Sequence, residues 1–424
     1  MTSTVPLPLR SDRPKALVLD ASYTLEMIVQ QGMENSVTCR DLDGYFSHVW
    51  STHPFASMLT SEEWATRFGK PVWTELTERH TFIEGKVGRW KWLERFYLLN
   101  FIAAQLGLFV RLWRLIRREK IAFIRVGDPL YLGLFGLALA RLTGIPLMIR
   151  VNGNNDKVRE NTGAPLYPRL FRSERVERWI ERRIFPRCAM VAAPNPDNIA
   201  FAVSAGARPE VTTIFRYGNL LAVEHLQLPA ERGLDKKLFD RLELVPSQFL
   251  LSIGRLQPTK FPEDCVYVLT ELRKRGHEIK LLFAGDGELK QALWTQAEAS
   301  NVSQFVVFGG NQNQAALAQL NAHAAVVLSP LTGRALSESA LGGAAIVAYD
   351  LDWQGELIES GKTGSLVPFR ERDQFVDATE QFLNDRALRK AMGAAVRERA
   401  MQMLDPDLLD EHERAEYRRI LNIG

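Results

Sequence analysis

The sequence predicts an α/β protein built from two doubly wound parallel-sheet domains. Three observations carry this prediction. Short apolar runs rich in β-formers alternate with helical segments along the chain. The alternation lapses once, around residues 221–245, and then restarts. The length of 424 residues is too great for one ordinary core and suits two.

The first strand is expected at 15–20 (KALVLD), ending in a polar turn before a helical stretch over 23–31. Further strands are expected at 36–40, 49–52, 121–126, 147–151, 190–193 and 211–215, with helices at 90–120, 131–143 and 173–185 between them. Residues 221–245 are mixed and charged, without a clear period, and read as a connector. Five short buried-type strands follow at 249–253 (FLLSI), 280–284 (KLLFA), 304–308 (QFVVF), 325–329 (AVVLS) and 345–349 (AIVAY). A helix over 371–403 is broken at Asp405 and Pro406, and a last helix covers 408–421. The expected division is a tail at 1–14, a first domain at 15–220, a connector at 221–245, a second domain at 246–404 and a terminal helix within 405–424.

Composition narrows the function classes. Hydrophobic content of 46% with 24% charged residues describes a soluble globular chain. Cys39, Cys188 and Cys265 lie far apart without a CxxC pair, so neither a disulfide framework nor a zinc site is expected, and a reducing cytoplasm fits. The first fifteen residues lack the apolar stretch of a signal peptide. The apolar runs at 97–110 and 129–140 each stop at an arginine, short of the ~20 residues of a spanning helix. Net charge is +3, but residues 1–230 carry about +8 and the remainder about −5, so an anionic partner would meet the first half. No nucleic-acid motif accompanies that charge.

The second domain carries the sharper chemistry. Its first strand runs into Gly254-Arg255-Leu256-Gln257-Pro258-Thr259-Lys260, where a glycine permits close approach of a ligand and two cations suit a diphosphate. The next strands run into Gly285-Asp286-Gly287, into Gly309-Gly310 after Phe308, and into a turn ending at Gly333-Arg334-Ala335-Leu336. That turn leads into a helix whose first amides and positive dipole end favour phosphate. Glu338 lies near this end, suited either to a ribose or to capping.

In this order the motifs resemble the nucleotide-sugar domain of the family-4 retaining glycosyltransferases, over residues 249–368. The matching pieces are Gly254, Arg255 and Lys260; Gly285 to Gly287; Phe308 to Gly310; and Ser337-Glu338-Ser339-Ala340-Leu341-Gly342-Gly343 with its following strand. The resemblance implies the GT-B fold, two Rossmann-like domains facing across a cleft, with the last helix crossing back to the first. It implies transfer of a hexose or N-acetylhexosamine from a nucleoside diphosphate, taken as UDP, to a hydroxyl of a glycan or lipid-linked acceptor. Arg255 and Lys260 would bind the diphosphate and Glu338 the ribose. Gly333, Arg334, Ala335 and Leu336 would meet phosphate and sugar, and Phe308, Gly309 and Gly310 the base, with no metal or other cofactor. The family's first glutamate is Pro330 here. A GT-B epimerase or hydrolase, or a catalytically weak partner protein, would share the same donor site.

In the first domain, Asp128 follows the strand at 121–126, and Asn152 follows that at 147–151, where the family commonly has histidine. Ser22 and Tyr23 stand where the family has a glycine-rich loop, although capping the next helix is the favoured role there. His53 is a candidate on the acceptor side or a structural histidine, and Tyr217 closes the last strand. Residues 89–120 combine Arg111, Arg114 and Arg118 with Leu106, Phe109 and Trp113 on the opposite face. Two readings stand for this segment: peripheral contact with an anionic inner-membrane surface, or a core helix with a solvated basic face.

Overall fold

The computed structural model describes residues 13–168, 170–216, 221–351 and 353–422. The chain divides into unit 1, Met1–Arg216 with Asp407–Gly424, and unit 2, Tyr217–Pro406.

Unit 1 holds an eight-stranded sheet. Its strands are β1 (Lys15–Leu19), β2 (His48–His53), β3 (Val72–Thr77), β4 (His80–Glu84), β5 (Phe123–Val126), β6 (Leu147–Arg150), β7 (Met190–Ala193) and β8 (Thr212–Ile214). Their order is β3-β4-β2-β1-β5-β6-β7-β8, and every pairing is parallel except β3 with β4. Because the strands from β4 to β8 point one way, the loops after β1, β2, β5 and β6 share one carboxyl edge.

Two expectations fail in this unit. Residues 36–40 form no strand: Asn35–Thr38 is helical and Cys39–Asp41 a 3-10 turn. The β-branched composition is overridden because Ser36 and Thr38 donate their hydroxyls back to the carbonyls of Met33 and Glu34, at 2.7 and 3.2 Å, closing helical turns. The β3–β4 hairpin was not foreseen. Edge strand β3 is largely exposed and mixes apolar with polar residues, and β4 has only Phe82 and Ile83 as large apolar residues.

The helix Tyr97–Glu119 buries Ala104, Leu108, Leu112, Leu115 and Ile116 in the unit 1 core. With the 3-10 turn before it, Lys91–Glu119 is long and apolar enough to cross a membrane by length and composition, which counting uninterrupted runs had missed. Phe109 and Trp113 also pack against the core, so they are not the exposed apolar face expected of them. That face is Leu99, Ile102, Leu106 and Val110, with Arg114, Arg117 and Arg118 exposed beyond it.

Burial has a second consequence here. His53 and His80 are enclosed, and loss of hydration pushes both down to about 4. Unfolded histidines take up protons near pH 6.5, so between pH 6.5 and about 4 the unfolded chain binds more protons than the folded one. Stability therefore falls as pH is lowered through that window, whereas Asp128, raised to about 6, acts in the opposite direction. The urea midpoint of a His53→Phe variant should drop less between pH 6.5 and 4.5 than that of the wild type. Parallel profiles would remove His53 from the account.

Unit 2 is a six-stranded parallel sheet of β9 (Phe249–Ile253), β10 (Lys280–Ala284), β11 (Val306–Phe308), β12 (Val326–Ser329), β13 (Ala345–Tyr349) and β14 (Ser365–Val367). The order is β11-β10-β9-β12-β13-β14. Apolar layers cover both faces, one around Leu251, Leu282 and Leu336, the other around Val266, Phe283 and Phe375. Residues 221–245, read as a connector, belong to this unit: Leu221, Leu238, Phe239, Leu242 and Leu244 are buried in its core. The helix expected over 371–403 is two, Arg372–Asn384 and Arg386–Leu404. Asp385 divides them by leaving helical geometry and accepting from Leu388 N at 2.8 Å.

After Pro406 the chain rejoins unit 1 as the helix Pro406–Leu421. Tyr417, 1% exposed, sits among the rings of Phe46, Phe123 and Phe215 at centroid distances of 5.2, 5.0 and 5.9 Å.

Candidate active site

In unit 2, β9 pairs with β10 on one side and β12 on the other, so the connections leaving β9 and β12 run to opposite sides. Such a switch point leaves a crevice at the carboxyl edge, where open parallel sheets bind ligands. The β9 loop carries Arg255, exposed, and Lys260, half-buried at the end of a 3-10 turn, Pro258–Lys260. The β12 loop ends at Gly333, whose φ of 63° and ψ of −128° favour glycine. A Cβ added there would stand 3.8 Å from Lys260 Nζ. The two loops therefore bring a cation to the start of the helix Arg334–Leu341, where amide dipoles already favour an anion.

Arg334 and Ala335 lie half-exposed in the first turn of that helix. Leu336 departs from its expected place at the ligand: it is fully buried, and its N–H donates to Gly333 O at 3.1 Å. Glu338 lies one turn deeper than a capping residue, is 3% exposed, and pairs with Arg334 Nε at 3.2 Å. That contact sets the direction of the carboxylate. Nearby His225, also buried, shares a hydrogen bond of 2.9 Å with Gln314 Oε1. Burial lowers its pKa even though the field of Glu338 works the other way.

Gly285 and Gly287 have a packing reason. A Cβ on Gly285 would lie 2.0 Å from Gly254 O, and one on Gly287 2.4 Å from Leu256 O. The two loops are joined by Gly254 N to Ala284 O (3.2 Å), Leu256 N to Asp286 O (3.0 Å) and Leu289 N to Leu256 O (3.0 Å). These glycines set the height of the loop that carries Arg255. Gly285→Ala should destabilise unit 2 by about 1–3 kcal/mol, as overpacking does. It should also weaken nucleotide binding, because Arg255 moves with the loop; calorimetric titration with UDP checks this, and unchanged affinity would separate the glycine from the site.

Phe308 stacks on Phe283 at 5.5 Å and carries Lys290 over its ring at 6.0 Å. Gly309 is held by its N–H to Phe283 O at 2.9 Å, and Gly310 turns the chain with φ 65°. Three residues without any sequence signal fix the β12 loop. Ser329 Oγ donates to Gln354 Oε1 at 2.8 Å and meets Thr332 Oγ1 at 2.6 Å. Gln354 Nε2 donates to Pro330 O at 3.0 Å and to Tyr349 O at 2.8 Å. Pro330, at the position where the family resemblance puts a glutamate, is thus held by its carbonyl.

The unit 1 candidates separate. Asp128 and Asn152 lie close on the carboxyl edge: Asn152 Nδ2 donates to Gly127 O at 3.3 Å. Asp128 accepts from Leu130 N at 2.7 Å and Tyr167 Oη at 3.2 Å, yet burial raises it to about 6. Ser22 donates its N–H to Asp20 Oδ1 at 2.9 Å, and Asp20 pairs with Arg40 at 2.6 Å, an arrangement that no motif announced. Thr24 is the cap of helix Leu25–Gln31, accepting from Met27 N, while half-buried Tyr23 lines a space of about 10 Å³, room for one water. His53 is corrected: with no exposed surface and its ring edge-on to Phe55 at 5.0 Å, it is a core residue rather than an acceptor contact. Tyr217 lies outside the described residues.

Known proteins match both units. The model for glycosyl transferases group 1 matches residues 235–399, and that for glycosyltransferase family 4 matches 72–216. The chain is 23% identical to the alpha-D-kanosaminyltransferase of Streptomyces kanamyceticus, over 60% of this chain and 65% of that protein. It is 28% identical to the GDP-mannose-dependent alpha-(1-6)-phosphatidylinositol monomannoside mannosyltransferase of Mycobacterium tuberculosis, over 40% of this chain and 46% of the relative. The aligned segments thus span between about half and two thirds of these relatives. Among solved structures, Anabaena HepE in complex with UDP superposes with a TM-score of 0.68 at 17% identity, covering 96% of this chain and 99% of that one. Sucrose-phosphate synthase of Thermosynechococcus elongatus gives 0.72 at 14%, covering 97% and 100%. These likenesses establish the GT-B fold. With one family model on each unit and the ordered glycine and cation turns between β9 and β13, the chain belongs to the group 1, family 4 glycosyltransferases.

Proposed function

We propose that this protein transfers a hexose or N-acetylhexosamine from a UDP-sugar to a hydroxyl of a glycan or lipid-linked acceptor, with retention of anomeric configuration. The observation that carries this reading is the approach of Lys260 Nζ to Gly333 at the start of the helix Arg334–Leu341, with Glu338 held behind it. In this reading Lys260, Arg255 and the first amides of that helix hold the diphosphate, and Glu338 accepts from the ribose. The backbone at Phe308 to Gly310 meets the base. The bond from the anomeric carbon to the diphosphate breaks on the face where the acceptor hydroxyl approaches. The leaving diphosphate oxygen takes the hydroxyl proton, so no protein base is required at Pro330. The cations supply the charge stabilisation that a metal supplies elsewhere.

Unit 1 takes the acceptor along its carboxyl edge, with Asp128 and Asn152 as the polar contacts. The exposed face of Leu99, Ile102, Leu106 and Val110, followed by Arg114, Arg117 and Arg118, supports peripheral contact with an anionic membrane from the cytoplasmic side.

Thermal shift with UDP, GDP, UDP-glucose, UDP-N-acetylglucosamine and GDP-mannose tests the donor. A ligand at 100 times its Kd stabilises the folded state by about 2.7 kcal/mol. UDP and one UDP-sugar should raise Tm by several degrees. A response to GDP alone would replace the base, and no response to any of the five would sink the reading. Sugar release without acceptor, at the rate seen with it, would point to a hydrolase.

A further inference from the structure

A pocket of about 710 Å³ opens in unit 1, within the range of small-molecule sites. It lies beside the first turns of helix Tyr97–Glu119, and Phe55, Leu98, Phe101, Leu166 and Leu170 are among its walls. The wall is mostly apolar, and its charged residues are Arg67 and Glu94. Asn100 is committed to the backbone, accepting from Arg89 N and Trp90 N at 2.6 and 3.0 Å and donating to Trp90 O at 2.7 Å. Tyr167 turns its hydroxyl away to Asp128 Oδ2, at 3.2 Å. Since Asp128 follows β5 directly, one hydrogen bond joins the apolar pocket to the sheet edge where the acceptor hydroxyl is placed by the reading above.

We infer that this pocket receives the hydrocarbon chain of a lipid acceptor with an anionic head group, its hydroxyl end directed toward Tyr167 and Asp128. Size and the mostly apolar wall suit a chain of a dozen carbons or more, whereas a free sugar would leave most of its hydroxyls without partners on such a surface. The anionic head is indicated by Arg67 in the pocket wall and by the excess of cations over residues 1–230. The helix that provides Leu98 and Phe101 continues through exposed apolar residues to Arg114, Arg117 and Arg118. This inference rests on the transfer reading for the word acceptor, but the binding it states is separately measurable.

The probe is n-dodecyl phosphate below its micelle concentration, titrated calorimetrically into the full chain. Leu98 and Leu170 are 54% and 38% exposed, so Leu98→Glu and Leu170→Glu change the pocket wall without opening a core. Leu106, 60% exposed on the same helix, is not a wall residue and serves as the control through Leu106→Glu. One-site binding is expected for wild type, at least tenfold weaker in both pocket variants and within twofold of wild type in the control. Equal weakening in all three, or displacement of the probe by inorganic phosphate, overturns the pocket in favour of surface attraction. The Tm response to UDP is recorded on every variant. Retained UDP response with no probe binding sinks the lipid pocket alone, while probe binding without any nucleotide response upholds the pocket and sinks the transfer reading.

Discussion

Replacing Lys260 with alanine is expected to lower turnover by about 10²–10³-fold, the cost of removing one preorganised charge-stabilising group, or roughly 2.7–4 kcal/mol. The argument is differential. The diphosphate is already charged when the donor binds, so part of the attraction to Lys260 lowers KM alone. Breaking the glycosidic bond adds negative charge to the leaving oxygen, and the cation beside Gly333 acts more strongly on that species. The loss should therefore fall mainly on kcat, with donor KM rising less. Arg255, exposed where Lys260 is half-buried, works against water and salt, and Arg255→Ala should cost less than Lys260→Ala. Steady-state kinetics with UDP-sugar at two salt concentrations check both statements. A Lys260→Ala enzyme with wild-type kcat and only a raised KM would assign the lysine to ground-state binding.

Much of unit 2 was legible because its requirements are local. Strands β9, β10, β12 and β13 are buried on both faces and so appear as short continuous apolar runs. Gly254, Arg255 and Lys260 form one loop whose spacing is visible in the chain itself. What escaped were features fixed by distant partners. Gln354 holds Pro330 from across a helical turn after β13, and no pattern in its neighbours marks it. His225 lies in a segment with no clear period, yet Leu238, Phe239 and Leu242 tie that segment into the unit 2 core. Strand β3 is an exposed edge, where polar residues satisfy the pleat as well as apolar ones, and β14 has three residues, only one of them buried. Gly285 and Gly287 were found but given the wrong emphasis, since sequence shows a small residue without showing the carbonyl it makes room for.

The least legible interaction, between residues 263 positions apart, underlies the largest expected effect on stability. Glu413, on the helix Pro406–Leu421, lies 3.1 Å from Arg150 Nη1 and 3.9 Å from Arg125 Nη1, with its side chain only 3% exposed. Arg150 also donates to Phe215 O at 2.8 Å, and Arg125 to Tyr417 Oη at 3.3 Å. Glu413→Ala takes away the carboxylate between two guanidinium groups that are 4% and 15% exposed and cannot recover their hydration without opening the core. Breaking a buried pair on one side typically costs about 3–5 kcal/mol, and that loss is expected in the unfolding of unit 1. Removing Arg150 as well should restore part of it, because the penalty lies in the stranded cation rather than in the missing attraction. A cycle of Glu413→Ala, Arg150→Met and the double variant, followed by urea unfolding, measures this. Strictly additive single losses would show that Glu413 acts through packing of its helix around Tyr417 instead of through its charge.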